Sequence, residues 1–233
     1  MAKVKKFWDD EYKNPEHLKL SLEPSSDMQT FVRWAIRNSE WHPFPKDGMI
    51  LDVGCGNGRN IIGLAKEAEM SGYGFDISGE AIIQARNLAK DLPIKFEIRG
   101  AEDSLLLADE SVDVVLDMMT SHFLRQEQRE KYLKEILRVM KPYGWMFFKT
   151  FILEGDQNAR RMIHNYPAGE ENAYIHPKIG VYEYVWTEEK LFEFFSPHFK
   201  IHKMIKSYKH ITEKGTPWKR RTISLYLEKL PNN

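Results

Sequence analysis

The chain has 233 residues, of which 42% are hydrophobic and 29% charged, and its 34 Lys and Arg balance 34 Asp and Glu. That size and composition suit one globular domain with a sizeable core, with no global charge to direct it to nucleic acid or an anionic membrane. No apolar run approaches the ~18 residues of a membrane span, the basic N-terminus has no apolar stretch behind it, and the one cysteine, Cys55, cannot close an internal disulfide, so a cytoplasmic protein is expected.

Residues 1–48 read as a helical front segment, with Met28, Phe31, Val32, Ala35 and Ile36 at helical spacing, broken by Pro43, Pro45 and Gly48. A strand is expected at Met49–Val53, a helix at about 60–69, and a second strand at Gly72–Asp76. Ser78 suits the N-cap of the next helix, whose inner face reads Ala81, Ile82, Ala85 and Leu88. Strand three follows Pro93 at 94–99, and strand four, Val112–Met118, is the Val/Leu run of a parallel strand buried on both faces. A helix at 125–140 stops at Lys141-Pro142-Tyr143-Gly144, a turn feeding strand five at 145–151. Successive βα units predict a doubly wound α/β sheet, mostly parallel, with helices on both faces. Residues 152–184 form a long insertion rich in Asn, His and Tyr, and 185–233 supply a last helix and two β-rich stretches, 199–210 and 221–230, joined by a Gly-Thr-Pro turn. The expected organisation is one domain, 1–233: a front segment or lid (1–48), a cofactor-binding core (49–151), a substrate-loop insertion (152–184) and the C-terminal helix and edge strands (185–233).

The chemistry concentrates at Leu51-Asp52-Val53-Gly54-Cys55-Gly56-Asn57-Gly58, an apolar strand ending in a glycine-spaced loop that opens a helix, with an acid, Asp76, ending the next strand. Glycines let backbone approach a ligand and turn sharply, and the second acid can accept hydrogen bonds from ribose hydroxyls. The spacing is G-x-G-x-G rather than the dinucleotide G-x-G-x-x-G, and Asp52 would repel a pyrophosphate while suiting an ammonium group. An amino-acid tail is therefore favoured, which points to S-adenosylmethionine over NAD.

With the acids on either side, this segment closely resembles the first motif of class I S-adenosylmethionine-dependent methyltransferases, of the type 11/25 kind. The resemblance implies a Rossmann-like fold with an antiparallel C-terminal edge and contacts to the cofactor from Asp52, Gly54, Cys55, Gly56, Asn57, Asp76 and Ile77. Gly100-Ala101-Glu102-Asp103 falls where family members contact adenine; the first acid of the usual pattern is missing, leaving Ala101 through its backbone, or Glu102 or Asp103 as the acid. Asp117 and Met118, ending strand four, fall where the methionine moiety is lined. Phe7-Trp8-Asp9-Asp10-Glu11-Tyr12 is similar to the opening segment of tellurite- and thiopurine-resistance-type small-molecule methyltransferases, which implies a lid contacting the cofactor through Trp8 and Tyr12.

The acceptor half is less legible. His122, just after strand four, is the candidate general base, because ligands bind at the C-terminal edge of an open α/β sheet and His titrates near neutrality. Arg160, His164, Tyr166, His176 and Tyr182 are polar candidates for substrate contact in the long insertion. No metal-ligand cluster is visible. The expected partner is a small-molecule acceptor, without membrane association. From Phe199 to Lys229 nine Lys or Arg face two acids, with Tyr208 and Trp218 available to stack, so an RNA or protein methyltransferase is the competing reading. Solvation of a sheet edge by lysines explains the same charge more simply. A non-catalytic S-adenosylmethionine-binding protein is a third alternative, disfavoured by the intact glycines and Asp76.

Overall fold

The computed structural model describes residues 2–16, 20–40, 42–207 and 220–231. Two helices lead the chain, α1 (Ala2–Lys13) and α2 (Ser26–Asn38), followed by β1 (Met49–Val53), α3 (Arg59–Ala68), β2 (Ser71–Asp76), α4 (Gly79–Ala89), β3 (Ile94–Ile98) and β4 (Val112–Met118). A 3₁₀ turn at Ser121–Phe123 precedes α5 (Gln126–Val139) and β5 (Met140–Phe151). Then come α6 (Gln157–Asn165), the short strands β6 (Ala173–Ile175) and β7 (Tyr182–Tyr184), α7 (Glu188–Phe195), β8 (Phe199–Ser207) and β9 (Thr222–Lys229).

Seven strands form one twisted sheet in the order β3-β2-β1-β4-β5-β9-β8. All neighbouring pairs from β3 to β5 are parallel, and β9 runs antiparallel to both β5 and β8. The expected Rossmann-like architecture is therefore present, with its β8–β9 pair closing one edge. Because side chains alternate along a strand, Ile50 and Leu51 serve opposite layers. Leu51 and Val53 join the core beneath α5 and α7, while Ile50 packs with residues of α2, α3 and α4. The chain order β3-β2-β1 reverses at β1/β4, and that switch point opens the crevice at the carboxyl ends of the strands.

Several local expectations are corrected. The segment Lys141-Pro142-Tyr143-Gly144 is part of β5, where the register jumps from Val112↔Met140 to Val114↔Trp145. A bulge takes up the extra residues: Tyr143 has φ 62° and Lys141 Nζ binds both oxygens of Asp113 at 2.7 and 2.9 Å. On α4 the inner face is completed by Ala89, 6% exposed, while Leu88 is 38% exposed, because the 100° step per residue turns Leu88 outward. Ile36 is likewise 50% exposed at the far end of α2. The 152–184 stretch is no bare loop but contains α6 and the β6–β7 hairpin, anchored by a buried cluster of Leu153, Ala159, Met162, Tyr174 and Val185. The Gly-Thr-Pro turn and residues 208–210, the end of the first β-rich stretch, lie outside the described residues.

Phe31 ties the front segment to the sheet. Its ring is fully buried, stacked on Phe147 at 5.2 Å and edge-on to Phe44 and Tyr226. Phe31→Ala is expected to lower unfolding stability by about 3–5 kcal/mol, the cost of truncating a buried aromatic, as read by the urea midpoint. A loss within about 0.5 kcal/mol would show α2 to be a passive attachment.

Candidate functional site

A cavity of about 740 Å3 opens at the switch point. Its floor is the loop after β1, and Gly54 and Gly56 have positive φ of 62° and 57°. A Cβ on Gly54 would strike the Thr120 side chain, and one on Gly56 would strike the Tyr12 hydroxyl, so both positions require close approach as well as left-handed backbone. Gly58 serves differently: a Cβ there would crowd Ile62, Phe96 and Ala85, so it is the residue that lets α3 lie against its neighbours.

Asp76 ends β2 at the cavity wall. Its Oδ2 accepts the Gly56 N–H at 2.9 Å and its Oδ1 the Ser78 N–H at 2.8 Å. A carboxylate offers about four acceptor sites, so capacity for ligand hydroxyls remains after both bonds. Burial pushes its carboxyl up to about 6 against the pull of those backbone donors. Asp52 is 2% exposed at the end of β1, behind the loop rather than on the cavity surface. Burial pushes its carboxyl up to about 8, and its Oδ2 is buried without a hydrogen-bond partner. That atom is suited to an ammonium group, directly or through water.

Asp117 does not face the cavity. It is fully buried, accepting the Tyr132 hydroxyl at 2.8 Å and the Thr120 and Ser121 N–H groups at 3.2 and 3.3 Å. Its work is to staple the turn after β4, which carries His122. Asp103 also turns away, accepting the Gly100 N–H at 2.9 Å from an exposed position. Ala101 and Glu102 remain on the cavity wall, as do Cys55, Asn57, Ile77 and Met118. The Glu102 carboxylate accepts from Gln128 Nε2 at 2.9 Å.

The front segment roofs the site. Asp9 Oδ1 accepts the Ser78 hydroxyl at 2.8 Å and the Glu80 N–H at 3.3 Å, and Gln84 Nε2 donates to the Tyr12 carbonyl at 2.7 Å. These bonds dock α1 on the start of α4 and bring Trp8 and Tyr12 to the cavity. Burial, with the Asp76 charge second, holds the Tyr12 phenol well above its ordinary pKa and therefore protonated. Asn57 Nδ2 donates to the Ser21 carbonyl at 3.0 Å and Asn60 Oδ1 accepts the Ser25 N–H at 2.9 Å, fastening the α1–α2 connection to the loop.

On the acceptor side, His122 forms part of the cavity wall, is 1% exposed, and neither ring nitrogen has a partner. Burial pushes its imidazole down to about 3. It is neutral at physiological pH, and so low a pKa makes it a weak proton acceptor. Of the five candidates in 152–184, only Tyr182 lines the cavity. Arg160, His164 and Tyr166 are exposed on and just after α6, whose buried face is Ala159 and Met162, and His176 stands off the lining. Phe123, Lys149 and Phe151 also line the cavity and were not singled out by the sequence. Lys149 and Phe151 end a parallel strand at the ligand edge, which is the signal that identifies them.

The strand order, the G-x-G-x-G loop and the acid ending β2 give the chain the fold of class I S-adenosylmethionine-dependent methyltransferases. Residues 50–144 match the family model described as a methyltransferase domain. Among similar proteins, one from Haemophilus influenzae is 31% identical over 143 residues, covering 60% of this chain and 55% of that protein. Phthiotriol/phenolphthiotriol dimycocerosates methyltransferase 1 of Mycobacterium ulcerans is 32% identical over 102 residues, covering 42% of this chain and 36% of that one. The chain thus spans about half or less of the length of these relatives. The crystal structure of an S-adenosylmethionine-dependent methyltransferase from Methanosarcina mazei superposes with a TM-score of 0.67 at 24% identity, covering 82% of this chain and 97% of that one.

The cofactor of this class is S-adenosylmethionine, and the unpaired Asp52 Oδ2 and the close-approach glycines fit it. A bound ammonium would lower the Asp52 carboxyl from about 8, so a protein that starts protonated at pH 7 must release that proton on binding. Titration with S-adenosylhomocysteine in buffers of different ionisation enthalpy should therefore show release of a substantial fraction of one proton at pH 7. Affinity should rise between about pH 6 and 8 and then level. Asp52→Asn should remove both effects; an unchanged proton count would exclude Asp52 as their source.

Proposed function

We propose that the protein transfers the methyl group of S-adenosylmethionine to a small-molecule acceptor held beneath α1 and beside the β6–β7 hairpin, and that it does so in the cytoplasm. The cofactor supplies an electrophilic methyl on a sulfonium. The residues of this chain bind it, orient it and exclude water. Asp76 takes the ribose hydroxyls, the Gly54–Gly56 backbone passes close to the tail, Asp52 answers the ammonium through water from behind the loop, and Ala101 and Glu102 flank the adenine, while Trp8 and Tyr12 close the roof. Methyl transfer asks mainly that a nucleophile be held ~3 Å from the methyl in line with the leaving group, so positioning can supply most of the rate. No side chain on the acceptor side is assigned as general base, since the weakly basic imidazole of His122 is poorly matched to proton removal near pH 7.

The observation that carries this reading is the placement of Asp76, Gly54 and Gly56 around one cavity at the switch point, with aromatic side chains on its far wall. A covered cavity of this size suits a small molecule. The competing RNA reading draws on the basic C-terminal stretch. There Lys206 pairs with Glu188 at 2.5 Å and Lys203 lies over the Trp34 ring, which supports solvation of the sheet edge by these lysines; Tyr208, Trp218 and Lys219 lie outside the described residues.

Asp76→Ala is expected to weaken S-adenosylhomocysteine binding at least 30-fold, the worth of about 2 kcal/mol in charge-assisted hydrogen bonds, with the circular dichroism spectrum retained. Unchanged affinity would remove the cofactor assignment. Small-molecule extracts incubated with methyl-labelled cofactor should accept label, whereas label recovered only in RNA, in a reaction steeply inhibited by salt, would favour the competing reading.

A further inference from the structure

The basic side chains on the cavity lining are, among the described residues, Arg59, Arg99, Arg125 and Lys149. Lys149 is paired with Asp27 at 2.5 Å and Arg99 with Glu97 at 3.2 Å. Arg59 donates to the Glu23 carbonyl at 3.3 Å, and its charge is felt by Asp52 and Tyr12, so it belongs to the glycine-loop end with the cofactor residues. Arg125 stands at the other rim, just ahead of α5 and against Tyr182 of the β6–β7 hairpin. Its side chain is exposed and makes no ion pair with the described residues.

The guanidinium is nonetheless held in place. It lies over the Tyr182 ring, 4.7 Å from the ring centre. Tyr182 is fixed in turn, its hydroxyl donating to Glu170 at 2.5 Å and accepting from Arg129 at 3.5 Å. A cation–π contact uses no hydrogen-bond donor, so the planar fork of Arg125 keeps its N–H groups for a carboxylate, which it can grip through two parallel bonds. The acids of this rim are already served. Gln128 donates to Glu102 at 2.9 Å, while Glu170 is paired with Arg129 and accepts the Gln126 N–H at 3.2 Å. Deeper in, the lining turns apolar: Phe123 lies two residues before Arg125, and Trp8 meets it edge-on at 5.3 Å. Two residues of chain span less than ~8 Å, so one small molecule can touch both the guanidinium and the aromatic wall.

We infer that the acceptor is a small monocarboxylic acid, its carboxylate gripped by Arg125 at the mouth while Trp8 and Phe123 pack its apolar body. This rests on the methyl-transfer reading and names the substrate class for it. Arg125 is then a specificity-determining residue. An amide of the same shape lacks the charge, and an amine is repelled. A dianion such as a phosphate monoester meets Glu102 and Glu170 with a single unpaired cation to offset them.

The test uses the full chain saturated with S-adenosylhomocysteine at pH 7.5, with phenylacetate, phenylacetamide, 2-phenylethylamine and phenyl phosphate titrated by ligand-observed NMR. Phenylacetate should bind about fivefold more tightly than phenylacetamide, a modest margin because the guanidinium is exposed and hydrated. The amine should bind most weakly, and phenyl phosphate less tightly than phenylacetate. Raising salt from about 0.02 to 0.5 M should shrink the margin, as expected for an exposed charge pair. Arg125→Gln should erase it while leaving phenylacetamide unchanged, and Arg125→Lys, which keeps the charge without the fork, should restore part of it. Persistence of the phenylacetate preference in Arg125→Gln, or tighter binding of phenyl phosphate, would overturn the inference. A loss of S-adenosylhomocysteine affinity in Arg125→Gln would overturn it too, by giving the arginine to the cofactor. Binding of S-adenosylhomocysteine without any preference for phenylacetate would sink it while leaving the cofactor assignment standing, and failure of S-adenosylhomocysteine itself to bind would sink both.

Discussion

Three carboxylates, Asp52, Asp76 and Asp117, end adjacent parallel strands and are almost completely removed from water. Burying ionised groups this close together is expensive unless each finds donors, and the local chain is arranged around supplying them. Asp117 is satisfied by Tyr132 and two backbone N–H groups, and Asp76 by the loop glycine and the start of α4. Asp52 alone keeps a buried oxygen without a partner, at the end of the strand that feeds the glycine loop. The edge of the sheet is therefore short of positive charge, and a ligand that brings an ammonium group completes the electrostatics that the fold leaves open. The elevated carboxyls of Asp52 and Asp76 express that shortage as proton affinity.

The roof and the acceptor wall depend on bonds between segments far apart in the chain. Asp9 of α1 reaches the Ser78 cap, so the same turn that ends β2 at Asp76 also holds α1 over the cavity. On the other rim, buried Arg129 of α5 pairs with Glu170 and donates to the Leu124 carbonyl at 2.6 Å, and Tyr182 donates to Glu170 at 2.5 Å. That network places Tyr182 at the cavity and supports the hairpin that carries it. Packing and hydrogen bonds shape this side, and the exposed Arg125 guanidinium lies over the Tyr182 ring at its rim. An arrangement of that kind discriminates between ligands by the polar group left unpaired when the wrong one enters.

Local signals carried much of the site. The glycine loop, Asp76 and the Ser78 cap lie within a single β-α-β passage, where spacing along the chain translates directly into geometry. Trp8 and Tyr12 were named through the resemblance of the opening segment, and their spacing of four puts both on one face of α1. The acids of Glu102-Asp103 were ambiguous for a different reason. Both sit in a short turn, and the choice between cavity and backbone bond is made by the Gly100 N–H and by Gln128 on α5. Residues of α6 such as Arg160 and His164 looked suitable in composition, but the helix buries Ala159 and Met162 and turns those side chains to solvent.

By itself, the sequence determined the alternation of strands and helices, the cofactor loop and its two acids, since each follows from residue period, turn chemistry and charge within a few tens of residues. Only the tertiary structure decided that β9 inserts between β5 and β8, that Asp117 braces a turn instead of facing a ligand, and that His122 is a buried neutral ring in an aromatic wall. Pairing, burial and the loss of water depend on groups such as Phe151, Glu183 and Arg220, which are distant in the chain and meet His122 only when the sheet closes.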